Sequence, residues 1–340
     1  MEEAARVLLI GGDGADGALE YFYPNDPSNN RLLVGSLITW RSYHISGILS
    51  GKVVIAGGMD VNGEPLDSTE IFDPLTELIV PGPKMLDKRL MAMGGVRGRW
   101  DDSGERKSKP VQVMQLYVCG GLIDGEPVNT CQFLEENKDK WQMHRARMLT
   151  NRFAATIVSP DEYHLFMMGG LVSVPPLPFY NSTADGPWPT DLRLPTVAFE
   201  HFDGVRWGNQ QKRLLHRREH AASAALNYHM FVCGGLASNG TVLSICDDYV
   251  WHDMEWKSVA SLNIARSSPA MLAFNDKVWV LGGLDEQKEA LGSVEVYDPE
   301  MDRWSVVQCG GQCTRASSQA LLKPRAAFSA VYLKPTKKSA

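Results

Sequence analysis

The 340 residues carry 34 lysines and arginines against 40 aspartates and glutamates, a net charge of -6, with 44% hydrophobic and 22% charged residues. That balance excludes wholesale disorder and a collagen-like chain, and a mildly acidic protein without a long basic run is poorly suited to gripping nucleic acid through its phosphates. The most apolar stretches, 271–274 and 278–281, fall far short of the roughly 18 residues a membrane helix needs, so no membrane association is expected. The acidic start, followed by only four large apolar residues, is not a secretory signal, which places the chain in the cytoplasm or nucleus.

Along the chain, an apolar run ending in Gly-Gly recurs six times, at Gly11-Gly12, Gly57-Gly58, Gly120-Gly121, Gly169-Gly170, Gly234-Gly235 and Gly282-Gly283. The spacings are 46, 63, 49, 65 and 48, so the two long ones are the ordinary period plus an insertion. An aromatic residue and an acid follow, as in Phe72-Asp73 and Tyr297-Asp298, with Tyr249 at the matching place. A tryptophan comes next in four repeats: Trp141, Trp207, Trp256 and Trp304. Leu78 stands in its place in the second repeat, and the first has lost it. Before most Gly-Gly pairs stands an arginine: Arg41, Arg152, Arg217 or Arg266.

Each unit therefore reads as four short strands: an Arg-led strand a, a Gly-Gly strand b, an aromatic–acid strand c and a Trp strand d. Six such units predict an all-β, six-bladed propeller of four-stranded antiparallel blades. The first unit lacks strand a, while residues 324–333 form an Arg-led strand with no Gly-Gly after it. Strand a of blade 1 is thus expected from the C-terminus, giving one domain over 1–333, with blade 1 built from 6–37 plus 324–333 and a frayed tail at 334–340. The six cysteines are too sparse for a disulfide scaffold and are read as reduced thiols. Cys309 and Cys313 lack the two further ligands that zinc would need.

This pattern over nearly the whole chain resembles the kelch family, and most closely the kelch domains of BTB–kelch proteins and the kelch domains that bind actin. The resemblance implies a six-bladed propeller whose b–c and d–a loops share one face and bind a segment of a partner protein, often through arginines on acidic groups. A protein scaffold or substrate-recognition role follows, not an enzyme. The expected partner is an acidic peptide segment, or actin. No BTB or BACK region precedes residue 6, so cullin recruitment by the usual route is not expected of this chain.

The partner-binding residues expected on that face are Arg41, Tyr43, Arg89, Arg152, Arg217, Arg266 and Arg325. Phe179, Tyr180 and Trp188 join them as aromatic anchors in the 171–195 insertion, the b–c loop of blade 4. A guanidinium suits bidentate contact with carboxylates. The other reading of each arginine is that it supports its own loop by bonding neighbouring carbonyls. The charged 97–111 insertion is expected as a floppy a–b loop on the opposite face.

Several motifs point elsewhere and are set aside. Gly12 to Gly17 matches a dinucleotide fingerprint but is followed by a strand-like run instead of a helix, so no cofactor is expected. His216 and Glu219-His220 match a zinc-hydrolase signature, but in a strand the two imidazoles lie about 13 Å apart. The acidic hairpins at Asp60 and Asp124 read as solvated turns, and the sequons at Asn181 and Asn239 matter only in a secreted chain. The alternative function is a sugar-processing propeller resembling sialic acid epimerases, with the arginine ring in its central pocket.

Overall fold

The computed structural model describes residues 5–101, 111–173, 193–308 and 319–334. Six four-stranded antiparallel sheets are arranged radially, and strands are named a to d from the channel outwards. Blade 2 shows the plan: Ile45–Leu49, Lys52–Ala56, Thr69–Asp73 and Leu78–Pro81. The innermost strands of consecutive blades touch one another around the full ring. In blade 1 the order is Ser329–Leu333, Arg6–Ile10, Ala18–Phe22 and Arg31–Ser36, so the C-terminal strand supplies strand a, with Arg6 paired to Leu333 and Ile10 to Ser329. Among the described residues the only helical element is a 3-10 turn, Pro27–Asn29, and no helix is long and apolar enough to cross a membrane.

Burial follows from alternation. Each blade presents both faces to its neighbours, so both sets of side chains on strands b and c are buried, and six apolar layers lie between successive blades. The strand-d tryptophans belong to these layers. Trp141 and Trp304 are 4% exposed and donate Nε1–H to the carbonyls of Pro83 and Ala260, each at 2.9 Å. Strand register corrects one alignment. Trp304 pairs with Tyr297, Trp256 with Tyr249 and Trp207 with Phe202, and in blade 2 it is Ile79 that pairs with Phe72. Ile79 packs into the layer between blades 1 and 2, while Leu78 points to solvent.

The first insertion also departs from expectation. Met93–Asp101 and Val111–Cys119 pair along their full length, so 97–101 extends a hairpin in place of beginning a loose loop. Arg97 ties that extension to blade 4 through the carbonyls of Tyr163 and Asp203. Residues 102–110 lie outside the described residues.

The cysteines differ as well. Cys119 and Cys131 stand directly opposite on strands b and c of blade 3, and Cys233 and Cys246 do so in blade 5, with Cα separations of 4.1 and 4.2 Å. Both pairs are disulfide-bonded in place of the expected thiols. Sequence periodicity put each cysteine beside a Gly-Gly or in the next strand, but pairing depends on register, which the sequence did not specify.

Candidate functional site: the b–c and d–a loop face

The loop face is built on one repeated anchor. Arg41, Arg89, Arg152, Arg218, Arg266 and Arg325 are each at most 3% exposed. Each guanidinium reaches back between strands b and c of its blade. Arg266 is representative: Nη1 donates to the carbonyls of Gly282 (2.7 Å) and Ser293 (3.3 Å), and Nη2 donates to Glu295 Oε1 (2.8 Å). Glu295 is itself fully buried and accepts the backbone N–H groups of Asn263 and Ile264 in the d–a loop. The same pairing joins Arg41 to Glu70, Arg152 to Glu200, Arg218 to Asp247 and Arg325 to Glu20. Blade 3 rearranges it. Gln132 takes the strand-c position and Asp87, two residues before Arg89, supplies the carboxylate at 2.6 Å, with Gln132 Nε2 donating to the same Asp87.

These carboxylates and guanidiniums are removed from water. Burial draws Arg325 below its usual range and lifts Glu20 above its own, desolvation outweighing their mutual attraction. The arrangement is the loop-supporting one, in which the arginine satisfies carbonyls left by the Gly-Gly turn. In blade 5 that place belongs to Arg218. Arg217 lies outside it, exposed, with one bond from Nη1 to the Pro195 carbonyl at 3.1 Å. A signal for this register was present in the sequence: a buried Leu or Met stands four residues before every anchor arginine, at Leu37, Met85, Met148, Leu214, Leu262 and Leu321.

Two residues after each anchor the backbone turns left-handed, at Tyr43, Met91, Ala154, His220, Ser268 and Ala327, with φ between 51° and 53°. At five of the six junctions the N–H of this residue donates to the carbonyl of its counterpart in a neighbouring blade, from Tyr43 to Ala327, Ala327 to Ser268, Ser268 to His220, His220 to Ala154 and Ala154 to Met91, at 2.7–3.0 Å. The chain of bonds forms the rim of the channel mouth. The Tyr43 and His220 rings meet edge to face there at 5.6 Å. Burial raises the Tyr43 hydroxyl and lifts the Glu219 carboxyl to about 7, and it lowers His220 to about 4.

Outside this mouth the d–a loops carry a second ring. At five of the six places three residues before an anchor, Ile38, Leu86, Leu149, Asn263 and Leu322, the N–H donates to the buried carboxylate or to Gln132, and the side chains of Ile38, Leu86, Leu149, Leu322 and of Leu215 at the matching place in blade 5 are 46–57% exposed. Only Asn263 breaks the apolar series. On the two successive loops from blade 3 to 4 and from blade 4 to 5, the leucines are flanked by Arg145, Arg147, Arg213 and Arg217, all exposed and forming no ion pair with a described residue. Sequence reading found Arg217 and missed Arg145, Arg147 and Arg213, because they do not recur with the blade period. The b–c tips of blades 6, 1 and 2 carry Asp285, Asp13, Asp16, Asp60 and Glu64 instead.

The 171–195 insertion opens as a short hairpin, Leu171–Ser173 with Arg193–Pro195, on this same face. Phe179, Tyr180 and Trp188 lie outside the described residues. The decoy motifs resolve locally. Residues 12–17 form a tight turn into strand c of blade 1, and Asp60 Oδ1 accepts the N–H groups of Asn62 and Glu64 within its own hairpin. His216 Nδ1 lies 3.1 Å from Asp247, and no group of metal-ligating side chains occurs among the described residues.

The Kelch motif model matches residues 41–86 and 265–310. Alpha-scruin of Limulus polyphemus is 24% identical over 79% of the chain and 28% of its own length. Kelch repeat and BTB domain-containing protein 1 of Vaccinia virus is 25% identical over 65% of the chain and 40% of its own length. Human Kelch-like protein 33 is 31% identical over 26% of the chain and 17% of its own length. The chain thus spans less than half the length of these curated relatives. With six blades, the Gly-Gly and aromatic–acid repeats and the two Kelch-motif matches, the chain is a six-bladed kelch-repeat β-propeller in architecture, similar to these relatives.

Proposed function

We propose that the chain is a non-enzymatic protein-interaction propeller that holds an acidic, leucine-complementary segment of a partner on its b–c/d–a face. The supporting observation is the group of four exposed arginines, Arg145, Arg147, Arg213 and Arg217, which form no ion pair with a described residue, beside exposed Leu149 and Leu215, in a chain whose net charge is -6. Charge-assisted contacts supply orientation and apolar side chains supply buried area. In this reading the anchor arginines position the loops, while Arg217, Tyr43 and the arm residues Phe179, Tyr180 and Trp188 contact the partner. Withdrawal of the anchor arginines into the blades removes the feature on which a sugar-processing pocket rested.

Cross-linking mass spectrometry comparing the wild type with Arg145→Glu/Arg147→Glu/Arg213→Glu/Arg217→Glu tests it. Loss of the partner cross-links on this face, and binding that weakens as salt rises, is the expected result. Partner capture that survives the reversal refutes it. Co-sedimentation with filaments distinguishes actin from a substrate segment of the adaptor type. The proposal also places the chain in the cytoplasm. Disulfides at Cys119–Cys131 and Cys233–Cys246 that survive in protein alkylated at the moment of cell lysis overturn that placement, since cytosolic thiols are kept reduced.

A further inference from the structure

The opposite face carries a cleft of about 470 Å³ between blades 5 and 6. Its floor is an anomaly in the repeat. The strand-c residue following the buried carboxylate or Gln132 is Tyr21, Ile71, Phe133, His201, Asp248 or Val296 in successive blades, and only Asp248 is an acid. It is 1% exposed and set beside Phe231, Val259 and Tyr297, where its neighbours in other blades are mostly apolar. One oxygen, Oδ2, accepts from His229 Nδ1 at 2.7 Å and lies 3.3 Å from Lys257 Nζ. The other, Oδ1, is buried with no hydrogen-bond partner among the described residues. An acceptor held in that state costs stability unless a donor reaches it.

The surroundings say which donor. Lys277, the second ammonium in the cleft, is engaged at 2.5 Å by Asp298. Asp276 and Glu300 stand exposed at the lip on the a–b and c–d turns of blade 6. Four carboxylates therefore face two ammonium groups, and apolar walls from Leu226 and Val259 lead down to the Asp248 floor. An acidic lip, an apolar shaft and an unsatisfied carboxylate oxygen at the base match a long aliphatic stem ending in a cation. We infer that this cleft receives the side chain of an arginine or lysine from a partner protein, its head donating to Asp248. The inference uses none of the residues of the loop-face proposal, so either can fail alone.

The test is a titration of the ¹⁵N-labelled full chain with Nα-acetyl-arginine methylamide, with the lysine and glutamate analogues in parallel. Saturable shifts of the His229, Asp248, Lys257 and Lys277 amides are expected with the arginine or the lysine compound and none with the glutamate compound; the stronger of the first two identifies the head group. Asp248→Asn, which keeps the shape and removes the charge, is expected to weaken binding about tenfold. Asp276→Ala/Glu300→Ala, on exposed turns, is expected to weaken it about threefold with an unchanged melting temperature. Absence of a saturable shift, an equal response to the glutamate compound, or wild-type affinity in Asp248→Asn overturns the assignment. Should Asp248→Asn fail to fold, wild-type affinity in the lip variant overturns it.

Discussion

Replacing Arg266 with methionine separates an anchor from a ligand-binding arginine. The substitution removes donors to the carbonyls of Gly282 and Ser293 and strands Glu295, whose side chain is 0% exposed, without its cation. Breaking a buried pair from one side costs about 3–5 kcal/mol. An unfolding entropy of about 2.1 cal/mol/K per residue converts about 4 kcal/mol into a fall in melting temperature of roughly 6 °C for a chain of this length. Differential scanning calorimetry on the wild type, Arg266→Met and Arg266→Met/Glu295→Leu is the assay. The double variant should recover part of the loss, because no lone charge remains buried. Arg217→Met, exposed and outside the anchor position, should stay within about 0.5 kcal/mol of the wild type. An Arg266→Met chain that melts with the wild type yet loses its partner would refute the assignment of these arginines to the blades.

Further outcomes follow from the same geometry. Glu219 carries a carboxyl raised to about 7 from its ordinary 4.5, so the stability it contributes is full below pH 4.5 and lost as pH rises through 7; Glu219→Gln should flatten that alkaline loss in melts across the range. His220, lowered to about 4 from 6.5, acts in the other sense: its contribution is full above pH 6.5 and lost as pH falls through 4, and His220→Gln should reduce that acid loss. Gly283→Ala should be severely destabilising, since the residue has φ +104° and a Cβ would lie 2.8 Å from the Ser267 carbonyl, whereas Gly51→Ala, with φ +76° and open space around it, should cost only about 1 kcal/mol in urea melts. Reduction of the two disulfides, which close loops of 12 and 13 residues, should cost about 3 kcal/mol each in the chain-entropy account, read as a lower urea midpoint with reductant.

The repeat made the architecture legible because each blade must solve the same packing problem. Gly-Gly, aromatic–acid and tryptophan recur because turn, layer and edge recur, and even the closing of blade 1 followed from which strand type each end carried. Side-chain direction was less accessible. An arginine at a loop boundary has the same identity whether it points into the blade or out of it, and Arg217 and Arg218 are told apart by register against the strand-c acid Asp247 and, in the sequence, by Leu214 four residues before Arg218. Leu78 and Ile79 pose the same problem one residue apart, where a shift of one flips the side chain to the other face. Features that break the period were hardest to see. The exposed arginines of two loops, the exchange of Asp87 for a strand-c acid in blade 3, and Asp248 in an apolar layer each occur where one blade differs from the other five.

Arg6 and Leu333 sit side by side where blade 1 is sewn shut, at the ends of their strands opposite Ile10 and the Gly11-Gly12 turn. A tag, fluorophore or surface linker attached at Ala5 or Lys334, next to that pair, therefore leaves from the far side of the disc. Immobilised that way, the ring would display its loops outward like a dish on a stem, and capture on the loops could be measured without the attachment competing for the same ground.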